Sequence, residues 1–113
     1  MVNAAVALSS GIFTSASDLL FYLQSSGPRT ILVRAKQQLA ATLLNLAAGD
    51  LFPDNQKCKL FESNNITSNA CGTGITVGVA VNAGKVDILG DTAAVHEAHE
   101  CFDDLNNGIG VVQ

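Results

Sequence analysis

The two histidines of this 113-residue chain stand close together, in His96-Glu97-Ala98-His99-Glu100. Imidazole ligates metals and carries protons near neutral pH, so chemistry is sought here first. The spacing is not HExxH, whose histidines lie four apart on one helical face to hold zinc. Here they lie three apart, and the i,i+4 pairs are His96 with Glu100 and His99 with Asp103. His96, His99 and Asp103, or Glu100 in place of Asp103, form a candidate divalent-metal set if a partner chain completes the shell. The plainer reading is a solvated helix face, because one helix alone rarely completes a site. Asp103, Asp104, Asn106 and Asn107 offer oxygens that Ca²⁺ accepts, but they lack EF-hand spacing, and capping accounts for them equally well. Gly72-Thr73-Gly74 with Gly78 is not GxGxxG, and it precedes a strand-like run instead of following one. That excludes a nucleotide-binding loop. No serine carries a nucleophile-elbow signature. No catalytic residue is assigned, and no cofactor is expected beyond that divalent metal.

The elements that must position these residues follow from periodicity. The stretch from Pro28 to Gly49 has the clearest pattern, with Leu32, Ala35, Leu39, Leu43 and Leu46 recurring at spacings of three and four. Ala40, Leu44 and Ala47 widen that stripe, and Arg34, Gln38, Thr42 and Asn45 form a narrower polar face. Pro28 suits a first helical position and Gly49 a left-handed stop, so a central helix is expected over 28–48. A preceding helix is expected over Ser15–Gln24, capped by Ser15 or Ser17. A third starts at Asp91 or Thr92 and runs to Leu105, burying Val95, Ala98, Phe102 and Leu105. Ile75, Val77, Val79 and Val81 alternate, which reads as a strand turning at 82–85 into a partner at 86–89. VNAAVAL at 2–8 and IGVV at 109–112 read as short terminal strands. The expected fold is mainly α, with three helices around the central one, a small β-hairpin and terminal strands. It is α+β in the loose sense and a single domain over 1–113.

Charged residues are 14% of the chain, hydrophobic ones 48%, and mean hydropathy is +0.30. Ordinary soluble domains carry about 25% charge, so this surface is unusually rich in Ser, Thr, Asn, Gln and Gly. Such a surface suits proteins outside cells and subunits buried against neighbours. No apolar run approaches the roughly 18 residues of a membrane span. Residues 1–60 hold five of the six basic residues, residues 61–113 seven of the ten acidic ones, and the net charge is −4. Nothing there resembles the clustered basic face that nucleic acid requires. The apolar run Ala4–Leu8 is too short for a signal peptide and has no basic n-region before it. A fragment of a longer secreted chain is one expectation. Uncharged strand candidates at both chain ends suggest protein partners, or self-association into a homo-oligomer or filament by strand addition. No small-molecule substrate is identified.

Arg34-Ala35-Lys36-Gln37-Gln38-Leu39-Ala40-Ala41-Thr42-Leu43-Leu44-Asn45, then Ala47-Ala48-Gly49, and later Phe102-Asp103-Asp104-Leu105-Asn106-Asn107-Gly108 follow a shared pattern. Over residues 15–108 the chain resembles a helical C-terminal-type module of large secreted and surface proteins of bacteria. In those, an ARAQLLAALLN-like helix ends in a small residue and Gly, and a second ends in LDD[FY]NNG. Phe and Leu are exchanged here relative to that order. The resemblance implies an extracellular or cell-surface, non-catalytic module, without implying a ligand. Cysteine usage agrees. Cys58 and Cys71 bracket twelve polar-rich residues, and a bridge between them would contribute about 3 kcal/mol through loop closure. The other reading is three reduced thiols, with Cys101 packed on the last helix in either case. Asn65-Ile66-Thr67 matches an N-glycosylation acceptor and carries little weight in a bacterial protein.

Overall fold

The computed structural model describes residues 1–51 and 60–112, apart from the side chains of Asp50 and Leu51. Its elements in chain order are α1 (Val2–Leu8), α2 (Ala16–Leu23), α3 (Ile31–Leu51), β1 (Asn65–Ile66), β2 (Ile75–Thr76), α4 (Val77–Ile88), α5 (Thr92–Asn106) and β3 (Val111–Val112). The fold is mainly α with a small antiparallel sheet, in the order β2-β1-β3.

The central helix is there, with its bounds shifted. Thr30 caps α3, its hydroxyl accepting from Val33 N at 3.2 Å, so Pro28 stays outside. Gly49 does not stop the helix. It lies buried within it, and a Cβ there would stand 2.7 Å from the Leu60 carbonyl oxygen and 3.2 Å from the Phe61 ring. The glycine is there for close approach, not for a left-handed turn. Ala35, Leu39, Leu43 and Leu46 are buried as the stripe requires, whereas Leu32 is 39% exposed.

The polar face of α3 proved to be an interface. Thr42 is fully buried, and its hydroxyl shares its one proton between Gln38 O and Asn106 Oδ1. Asn106, from the last turn of α5, donates in turn to Gln38 O at 3.0 Å and Gln38 Oε1 at 2.8 Å, and Asn45 Nδ2 donates to Asn106 Oδ1. Every hydrogen-bonding group of the Asn106 carboxamide is used. Asn106→Leu should therefore cost about 1–3 kcal/mol by leaving partly buried partners on α3 without its bonds, read from urea denaturation. A loss below about 0.5 kcal/mol, typical of a surface change, would contradict the seam.

A terminal strand and a hairpin of the expected fold are helices instead. Residues 2–8 form α1, because Val2, Ala5 and Ser9 recur at helical spacing and Ala5 and Ser9 are completely buried. Seven residues make a marginal helix alone. Here Lys85 Nζ reaches over from α4 to donate to Leu8 O and Ser10 Oγ, both at 2.9 Å, placing a cation at the α1 C-terminus.

The 75–89 hairpin is the second correction. Only Ile75 and Thr76 are extended, pairing with Ile66 and Asn65. Thr76 then caps α4 by accepting from Val79 N, and Val77, Ala80, Val81, Gly84 and Ile88 form a buried helical face. Glycine weakens a helix interior, yet a Cβ at Gly84 would run into the Phe102 ring of α5. Its missing side chain lets α4 and α5 pack.

Other expectations hold. Ser15 caps α2 and Asp91 caps α5, each accepting from the amide three residues on. Val95, Ala98, Phe102 and Leu105 are buried. The C-terminal strand forms within the chain, Val111 and Val112 pairing with Ile66 and Asn65.

Candidate functional site

Helix α5 buries one face and leaves the residues at its margin for the surface. His96, His99, Glu100 and Asp103 follow one another at i, i+3, i+4 and i+7, so they share a stripe. His96 and Glu100 are exposed; His99 and Asp103, nearer the packed face, are partly covered. This stripe lines a cleft of about 360 Å³, together with Asp104, Ile31 and Arg34 from the start of α3, and Ala70. The volume falls within the range of small-molecule sites. The structure therefore brings His96, His99 and Asp103 to one cleft. Among the described residues, no three His, Cys, Asp or Glu side chains are arranged to hold a metal ion.

Arg34 is the residue that sequence reasoning passed over. It was one polar residue of a helix face, and nothing in its spacing links it to residues more than sixty positions on. Helix packing puts it beside His99. Burial lowers the His99 pKa from its ordinary value, and the Arg34 charge lowers it further; Asp103 and Glu100 oppose this, while His96 adds to it. The net effect favours the neutral imidazole of His99, in which one ring nitrogen donates its N–H and the other can accept. Because the folded chain binds that proton less readily than the unfolded one, its stability falls as pH drops from 6.5 through the lower folded value. Chemical denaturation at pH 7.5 and 5.5 should show this loss in the native chain and a smaller one in His99→Gln. Equal losses in both would remove His99 as the cause.

The oxygens considered for Ca²⁺ are engaged in holding the fold. Asp104 Oδ2 accepts from Ala70 N at 2.8 Å. Asp103 O and Oδ1 accept from Asn107 Nδ2 at 2.8 and 3.2 Å. Asn106 lies in the α3 seam described above. Capping, loop anchoring and the helix seam together account for all four residues.

The wall of the cleft at Ala70 is held firmly. Asn69 Oδ1 accepts from Cys71 N at 2.7 Å, and Asn69 Nδ2 donates to Ile109 O at 2.8 Å. A disulfide joins Cys71 to Cys101, with Cα atoms 4.4 Å apart and a sequence separation of 30. This corrects the expected Cys58–Cys71 bridge and the free thiol at Cys101; Cys58 itself lies outside the described residues. The true partner could not be found from spacing. It is set by α5 crossing beneath the 69–72 turn. Asn65, of the acceptor triplet, is exposed on the central strand β1.

No protein family, curated protein or solved structure matches this chain.

Proposed function

We infer that the chain is a non-catalytic structural or interaction module of a secreted or cell-surface protein. The observation that carries this reading is the Cys71–Cys101 bond, since disulfides form and persist in oxidising compartments. The low surface charge supports it, as does an uncovered apolar stripe on α4, where Val79, Val86 and Leu89 are 54%, 70% and 78% exposed. Apolar side chains aligned on one helix face favour contact with protein. Self-assembly through a terminal strand is kept for β3 alone. That strand is an edge of the sheet and ends in the half-exposed Val112.

Two measurements test the proposal. Chain exported to an oxidising compartment should carry the Cys71–Cys101 link without added oxidant; recovery with both thiols reduced would refute the extracellular reading. Light scattering should then show an oligomer for the full chain and a monomer for a chain ending at Gly108. Monomers in both at high micromolar concentration would refute strand-mediated assembly.

A second reading, a small metal-binding protein or metal-dependent enzyme whose shell a partner chain would complete, is favoured by one observation: His96, His99 and Asp103 share the α3–α5 cleft. Titration calorimetry with Zn²⁺ should give a saturable isotherm that His99→Ala abolishes. A flat trace for the native chain would end this reading.

A further inference from the structure

The geometry points to Asn107 as a site of spontaneous deamidation, gated by opening of the α5 terminus. Asn107-Gly108 is the one Asn-Gly pair in the chain, and Asn107 is exposed. A glycine on the C-terminal side puts no side chain in the way of ring closure. In that reaction the Gly108 backbone nitrogen attacks Asn107 Cγ, the side-chain nitrogen leaves as ammonia with the amide proton, and a cyclic imide forms. Water then opens the ring at either carbonyl, giving aspartate or isoaspartate. No other reactant is needed.

The folded chain opposes this step in three ways. Asn107 has ψ near 1°, which turns the Gly108 nitrogen toward the Asn107 amide nitrogen and away from Cβ, where it must swing to attack. The Gly108 N–H is already donated to Leu105 O at 3.1 Å. The carboxamide is itself held by the two bonds from Nδ2 to Asp103 O and Oδ1. All three restraints lie in the last turn of α5, where helices fray at low cost. Opening that turn frees the nitrogen, the carboxamide and ψ together.

The products cannot restore what was there. Either one replaces a donor facing the Asp103 carboxylate with a second carboxylate, at the negative end of a helix dipole. Isoaspartate also lengthens the main chain just before the residues that must keep Val111 and Val112 in register with Ile66 and Asn65. The modification thus acts on the segment that leads into β3.

The oxidised full chain is held at mildly alkaline pH, in buffer and in concentrated urea, and peptides are sequenced by mass spectrometry over time. The amide-to-acid mass gain should appear at Asn107, with both isomers present. It should form roughly tenfold or more slowly in buffer than in urea, as expected for a site that reacts only when locally open. Asn107→Gln should abolish it at this position. An intact Asn107 in urea would overturn the site, and equal rates in both arms would overturn the gating.

Discussion

Replacing Cys71 and Cys101 together by serine should cost about 3.5 kcal/mol, the loop-closure value for a thirty-residue ring. For a domain of this length that is a fall of roughly 15 °C in melting temperature. Cys101 is 6% exposed, so the serine hydroxyl left there adds a desolvation penalty in the same direction. Thermal melts of the native chain with and without reductant should reproduce most of the shift. Peptide mapping without reduction should recover Cys71 linked to Cys101. A link from Cys58 to either of them, or an unchanged melt after reduction, would refute this account of what holds the 69–72 turn.

An effect of similar size is expected where α4 meets α5. Phe102 is completely buried against Gly84, and Phe102→Ala should cost about 3–5 kcal/mol through lost burial and a residual cavity. Gly84→Ala acts on the same contact from the other side. Its new methyl group meets the Phe102 ring, and overpacking of this kind costs about 1–3 kcal/mol. The two changes should not add. With the ring removed, the Gly84→Ala methyl fills space instead of contesting it, and it also raises helix propensity. The double variant should therefore be no less stable than Phe102→Ala alone. Simple additivity in a double-mutant cycle would show that the two residues do not share one contact.

The elements legible in the sequence were those whose ends and faces are marked locally. Ser15 and Asp91 cap their helices through bonds to amides three residues on, and the α3 and α5 stripes repeat over several turns. Thr76 caps α4 in the same way, but neither α1 nor α4 has a stripe that repeats over enough turns to settle the choice. The valines of α4 suit a strand as well as a helix, and the choice falls to Gly84, whose fitness for a helix depends on a ring eighteen residues later. Tertiary packing overrode local preference there. At the cleft, the α5 half was legible, since His96, His99 and Asp103 share one helical face. The opposite wall was not, because Arg34, Ala70 and the Cys71–Cys101 bond reach it only through packing. The same limit applied to Gln38, Thr42 and Asn45, whose polarity marked a face but not the Asn106 carboxamide that fills it.

The disulfide also changes how the chain would answer a pull. A stretch applied at the two ends can extend only the residues outside the covalent ring. The thirty-residue span from Cys71 to Cys101 holds all of α4 and the first part of α5, and roughly 100 Å of contour length stays locked inside it. Force would be carried from β1 to the last turn of α5 across two sulfur atoms, without passing through β2 or the helix between them. In a chain held under tension, the elements outside the ring would yield as the compliant parts, α1, α2, α3 and β3 among them, while α4 stayed unloaded behind a short covalent link.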